Sequence, residues 1–300
     1  MEGNNRKLKI AFLGQPEYFR CLYERDLDDL YDVREYKLIW GAPWYYYSNL
    51  IEFAPDIAFF FRADLFSDEL VKRLPGKKVA LSSEPIPKYI NGTLSTSSDM
   101  EYRFASLKNA RNKFDHFFHF DRSSLRYLQE NGFKVDGDFM FPVATGTYHP
   151  TNSEKKWDIF FGGRDTVHRD NYLKILKRDF EVLHISSGIF SDEYVRLINA
   201  CKIGVNIHVD DKPSIEHRIQ NMMACGNLVM SEPLSPNDMF IPGRHYVEFS
   251  NKKEFLEKFL YYYHRDSERE VIARNGLKLV RERLASKKEF PKLIGKILGT

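Results

Sequence analysis

Cysteine is scarce in this chain of 300 residues: Cys21, Cys201 and Cys225 are the whole complement. An odd number of scattered thiols offers neither a disulfide framework nor metal-ligand spacing, so they read as buried thiols of a reducing cytoplasm. A dominant charge is missing too. The formal net charge of +3 permits a polyanionic partner without requiring one. No apolar run approaches the length of a membrane span, and the opening stretch Met1–Lys9 is polar. Neither a signal peptide nor stable membrane insertion is therefore expected. Gly14 closes the first apolar run, but no Gly-x-Gly-x-x-Gly follows, which leaves a dehydrogenase-type dinucleotide site unsupported. Asp210 and Asp211 are adjacent and in a turn, not an Asp-x-Asp after a strand, so neither a metal nor a cofactor is called for.

What is present is alternation. In the first half, apolar strands are expected at Leu8–Leu13, Arg34–Ile39, Asp56–Phe61, Lys78–Leu81, His116–Phe120 and Phe139–Val143. Helical stretches separate them near Glu17–Leu30, Tyr46–Phe53, Ser67–Leu74, Asp99–Asn109 and Ser123–Gln129. Ser98 and Glu101 form a capping box, and Asn131-Gly132 a stop. Nearly continuous apolar strands between helices imply a parallel sheet covered on both faces. The polar, aperiodic stretch Ala144–Lys156 reads as a linker. A second alternation follows with strands at Trp157–Phe161, Phe180–His184, Ile203–Ile207, Leu228–Met230 and Tyr246–Phe249. Ser267 and Glu270 open a long helix to about Leu284, and Lys287–Leu298 forms a last amphipathic helix. The class is α/β, with domains over 1–145 and 146–285 and a terminal segment 286–300.

The most informative stretch lies between the strands at Ile203–Ile207 and Leu228–Met230. A helix is expected from an N-cap at Ser214 to a stop at Gly226, which completes a right-handed strand–helix–strand crossover. Its free N–H groups face the carboxyl edge of the sheet, where an anion can sit. Glu216, His217, Arg218 and Asn221 crowd its first two turns. Upstream, Gly162-Gly163-Arg164 ends a strand and Arg169 follows at a helix start. Glycine lets backbone approach a ligand, and paired arginines grip phosphate bidentately.

Arg218-Ile219-Gln220-Asn221 followed by Met223-Ala224-Cys225-Gly226 resembles the donor-binding helix of GT-B glycosyltransferases of the group 1, CgeB-like type. The resemblance implies two Rossmann-like domains facing a central cleft, with the C-terminal helix crossing back to the first domain. It also implies that Arg164, Arg169 and Arg218 clamp the diphosphate of a nucleotide sugar, with Gly162, Gly163 and Ser214 at the same site. The family's ribose-binding Glu has its counterpart in Asn221, an amide that can still hydrogen-bond a diol. The Gly-Gly and spaced arginines are also similar to phage DNA β-glucosyltransferases, whose base is the Asp of an Asp-x-x-x-Pro loop.

Glu84 stands at that place in Ser82-Ser83-Glu84-Pro85-Ile86-Pro87, just beyond a buried strand, and is the first candidate for a general base. His119 and Asp121 in His116-Phe117-Phe118-His119-Phe120-Asp121 are the alternatives, Asp121 doubling as a candidate helix N-cap. Glu232 and Asn237 follow a strand end where sugar hydroxyls are met in such folds. The function implied is inverting, metal-independent transfer of a sugar from a nucleotide-diphosphate sugar, with no separate cofactor. The acceptor is a hydroxyl of a surface or spore glycan or of a modified DNA base, and homo-oligomerisation is open. A GT-B nucleotide-sugar epimerase and a non-catalytic nucleotide- or glycan-binding module are the competing readings.

Overall fold

The computed structural model describes residues 6–210 and 212–300; Asp211 and the first five residues, with the reading of the N-terminal stretch that rests on them, lie outside it. The chain divides into two compact units. One comprises the residues up to Arg20, Leu27–Phe141 and Phe290–Thr300; the other comprises Cys21–Asp26 and Pro142–Glu289.

In the first unit, β1 (Lys9–Gly14), β2 (Asp32–Lys37), β3 (Ile57–Phe61) and β4 (Lys77–Ser82) are joined by a small antiparallel hairpin, β5 (Lys88–Ile90) and β6 (Thr93–Ser95), to β7 (His116–His119) and β8 (Gly137–Asp138). The sheet is parallel throughout, in the order β2-β1-β3-β4-β7-β8. The Ile-Ala-Phe-Phe-Phe run of β3 is buried on both faces, as a central parallel strand requires. Phe290, fully buried, packs its ring against Phe12, Phe59 and Phe139 at centroid distances of 5.5, 5.9 and 5.6 Å. Burying one such ring contributes about 1.5–3 kcal/mol. The terminal helix Ser286–Leu298 thereby gives its residues from Phe290 onward to this unit.

The second unit holds β9 (Trp157–Gly162), β10 (Val182–Ile185), β11 (Cys201–Asn206), β12 (Leu228–Ser231) and β13 (Val247–Glu248). They form another parallel sheet, ordered β10-β9-β11-β12-β13. Its core gathers Ile159, Phe161, Val205, Met230, Phe249, Phe255 and their neighbours. No helix among the described residues is long and apolar enough to cross a membrane.

Several local expectations are corrected. The helix expected over Glu17–Leu30 stops at Phe19, followed by a single tight turn, Arg20–Leu22. Asp26 is the reason: its buried carboxylate accepts the N–H groups of Thr145 and Gly146 at 3.0 and 2.6 Å, which holds the chain out of helix. The same bonds order the stretch read as a linker. The strand expected at Phe139–Val143 is Gly137–Asp138, and the last ladder bond is Phe139 N–H to the His119 carbonyl. Pro142 could donate nothing to a longer ladder. Both capping boxes are displaced. Ser97, not Ser98, caps the helix Ser98–Ala110, while Glu101 accepts from the Thr96 hydroxyl. The helix Asp266–Arg283 follows Arg265 without a side-chain cap.

Candidate active site

In the second unit, β9 releases the chain at Gly162-Gly163 beside the carboxyl end of β11. A Cβ on Gly163 would lie 3.2 Å from Nη1 of both Arg169 and Arg218, so glycine lets two guanidiniums close on the backbone. Arg169 comes from the first turn of the helix Val167–Leu176, whose N-cap Thr166 accepts the Arg169 N–H through its hydroxyl at 3.2 Å. Its buried guanidinium donates from Nε to the carbonyls of Ile207 and His208, each at 3.1 Å, and from Nη1 to the Arg164 carbonyl at 2.9 Å. Arg218, from the first turn of the helix His217–Ala224, donates from Nε to Asn206 Oδ1 at 2.8 Å and from Nη2 to the Ile207 carbonyl at 3.2 Å. Both cations lie over the Phe161 ring, 5.5 and 5.6 Å from its centroid. Fixed by backbone carbonyls on one side, the pair offers its remaining N–H groups to an anion.

The carboxylate that meets both cations is Glu216, with Oε1 3.3 Å from Arg218 Nη2 and 4.0 Å from Arg169 Nη2. Burial, then the like charge of Arg218, pushes the Arg169 pKa down to about 10, so it stays a cation at neutral pH. Burial works against the charged form of Glu216, but the neighbouring charges, Arg218 foremost and Arg169 with it, outweigh burial and hold its pKa below the ordinary value. Glu232 is engaged elsewhere, pairing with His168 Nε2 at 2.8 Å and accepting the His208 N–H at 2.7 Å. His208 Nε2 lies 2.9 Å from the Pro233 carbonyl and must donate to it. Its Nδ1 is then the acceptor for the Ser214 hydroxyl at 3.1 Å.

In the first unit the chemistry gathers after β3 and β4. Glu84 is engaged by two arginines: Arg62 Nε lies 3.5 Å from Oε1, and Arg103 Nη1 bonds Oε2. Arg62, in the left-handed region at φ 56°, also donates to both oxygens of Asp64 at 3.1 Å, and Arg103 pairs with Asp99 at 2.8 Å. The cluster therefore holds two cations and three carboxylates. Asp121, buried, splits its oxygens between the Ser123 N–H at 2.9 Å and Lys88 Nζ at 2.9 Å, and caps a turn of 3-10 helix. His119 is wholly buried, and neither ring nitrogen finds a hydrogen-bond partner. Burial drives its pKa down to about 4, so the imidazole is neutral.

Residues 156–290 match a family model described as glycosyl transferase-like. No curated protein sequence matches the chain. Among solved structures, sucrose-phosphate synthase from Thermosynechococcus elongatus superposes with a TM-score of 0.65 at 9% identity, covering 98% of this chain and all of that one. Anabaena HepE in complex with UDP and glucose gives 0.64 at 11%, again over 98% and 100%. An alpha-glucosyltransferase in complex with UDP and a 13-mer DNA containing an HMU base gives 0.66 at 10%, over 97% and 100%. The chain has the fold of GT-B glycosyltransferases, and its second unit carries the glycosyl transferase-like match.

Within this fold Gly163, Arg169 and Arg218 come together as expected, with Gly162 packed beside them against Tyr194. Arg164 is exposed, and its carbonyl braces Arg169. Ser214 is not the N-cap: the helix starts two residues later, after Glu216, because the Ser214 hydroxyl is taken by His208. The stop at Gly226 is as read, with φ +77° and its N–H bonded to the Met223 carbonyl at 3.0 Å. Asn221 is buried and hydrogen-bonds the Cys21 thiol. Cys21 Sγ sits 3.4 Å from His217 Nδ1, and His217 Nε2 donates to the Pro142 carbonyl at 3.0 Å. Burial pushes Cys21 up to about 12 and His217 down to about 4, so the pair is a neutral clip, not a nucleophile. Sequence reasoning missed the part played by Glu216 and that of Arg103. The one signal for Glu216 was its position two residues before Arg218.

Proposed function

We propose that this protein moves a sugar from a nucleoside diphosphate sugar to an acceptor hydroxyl, with Arg169 and Arg218 gripping the diphosphate. One observation carries the reading: two guanidiniums, aligned by backbone carbonyls, converge at Gly163 with a single carboxylate, Glu216, set against both. As the bond between the sugar and the diphosphate breaks, negative charge builds on the departing phosphate. Preorganised cations and the N-terminus of the helix His217–Ala224 lower that barrier without a metal ion. Arg164 adds exposed positive charge at the same strand end. Asn221 stands as a support for this helix rather than a ribose ligand, since its partner is Cys21.

In the first unit Glu84 is the proposed base of a single, inverting displacement. It is the one of the three candidates with appreciable access to solvent, its side chain being 12% exposed while Asp121 and His119 are enclosed. Its cluster holds three carboxylates against two guanidiniums, an excess of one negative charge. UDP in complexes of the neighbouring folds supports a uridine donor, and the DNA-bound neighbour supports testing a hydroxymethylated DNA base beside glycan acceptors. The experiment is a calorimetric titration with UDP, followed by turnover of UDP-sugars against both acceptor classes. UDP binding with release of UDP only when an acceptor is present supports transfer. Isomerised or hydrolysed donor without acceptor supports an epimerase instead.

A further inference from the structure

Glu216 occupies the N-cap position of the helix His217–Ala224 in an extended conformation, φ −104° and ψ 132°, yet its side chain accepts no cap hydrogen bond. Glutamate is not among the residues favoured there. What holds the carboxylate is charge: Arg218 at 3.3 Å and Arg169 at 4.0 Å. It therefore lies against the N–H groups that a phosphate would use, while the backbone carbonyls of Ile207 and His208 occupy the other side of the cations. Two like charges this close, one of them buried, need a counter-ion in the ligand-free protein. Both the carboxylate and a diphosphate cannot take the same donors.

Building on the diphosphate reading above, we propose that Glu216 is an internal counter-ion of the clamp, which stabilises the arginine pair when it is empty and must be displaced by the incoming diphosphate. Glu216 precedes the first helical residue and makes none of the bonds to Ile207, His208 and Asn206 that anchor Arg169 and Arg218, so its side chain can turn aside without disturbing them. The displaced carboxylate lowers affinity for every phosphate-bearing ligand by the same factor and leaves ligands without phosphate untouched.

The test compares wild type with Glu216→Gln, an isosteric and uncharged replacement, by calorimetry with UDP, pyrophosphate and uridine, and by thermal unfolding without ligand and with saturating UDP. Loss of one charge-assisted contact corresponds to a gain of roughly ten-fold in affinity. The expected result is that gain for both UDP and pyrophosphate, unchanged uridine affinity, and a ligand-free Tm below wild type that UDP restores. Unchanged UDP affinity, or a gain confined to one of the two phosphate ligands, overturns the proposal. Weaker UDP binding also overturns it and makes Glu216 a ligand contact. If wild type itself binds neither UDP nor pyrophosphate, the diphosphate reading falls, and the counter-ion with it.

Discussion

The two units each place a pair of arginines beyond the carboxyl edge of a parallel sheet, and the pairs do opposite things. In the second unit Arg169 and Arg218 are anchored by carbonyl oxygens and meet one shared carboxylate, Glu216, so positive charge is left over. In the first, Arg62 and Arg103 are anchored by carboxylates, with Asp64, Glu84 and Asp99 outnumbering them, so negative charge is left over. The number of arginines is the same. What differs is the partner that fixes them, and with it the sign of the charge left over.

The sharpest break between the two clusters comes from the first. Glu84→Gln removes the proposed base and should lower turnover by about 10²–10⁴-fold while leaving UDP affinity unchanged. Near-normal turnover in Glu84→Gln, with loss in His119→Ala or Asp121→Asn, would move the base to the end of β7 or the turn after it. Should all three variants stay active, a retaining mechanism without a side-chain base becomes the better account.

Asn221→Glu asks whether the second cluster reaches down its helix. Because Asn221 is buried against a neutral thiol, a carboxylate there should cost about 3 kcal/mol or more in stability, read by urea unfolding, without improving UDP binding. Tighter UDP binding with unchanged stability would return Asn221 to the ribose.

Next in size is a pH effect that touches both units. Burial lowers His119 and His217 to about 4 in the folded chain, against about 6.5 unfolded. Below pH 6.5 the unfolded state therefore binds more protons, and stability falls as pH drops toward 4. About 1–2 kcal/mol for each histidine should be lost between pH 7 and 5. His217→Gln should flatten the profile by one histidine's share; an unchanged profile would show that His217 titrates normally.

Gly163→Ala is the mildest probe. Its methyl group would press on both guanidiniums at 3.2 Å and shift them by a few tenths of an ångström. A 1 Å misplacement can cost on the order of 100-fold, so a loss of about 3- to 10-fold in UDP affinity is expected, with Arg62 and Arg103 unaffected. No change in affinity would mean that the diphosphate lies elsewhere.

Much of the second unit was legible in the sequence. Buried parallel strands are continuous apolar runs, the Gly226 stop is local chemistry, and Gly163, Arg169 and Arg218 carry as a group a signal that none carries alone. Other features were illegible because they depend on partners distant in the chain. Asp26 ends a helix by bonding residues some 120 positions away, His208 takes Ser214 from its cap, and Cys21 claims Asn221. Glu216 looks in sequence like any acid at a helix start, a position the helix dipole favours for reasons unrelated to a ligand. Arg103, on a helix flank, gives no hint that it reaches Glu84.

Arg218→Ala tests the central claim most directly. Its guanidinium makes charged hydrogen bonds and lies partly open beside Gly163, so its removal should weaken UDP binding by about 1.5–3 kcal/mol, roughly 10- to 150-fold, in a calorimetric titration. The uridine affinity and the thermal midpoint in UDP-free buffer serve as controls for folding, and neither should account for the loss. A UDP affinity equal to wild type in a folded Arg218→Ala protein would contradict the clamp.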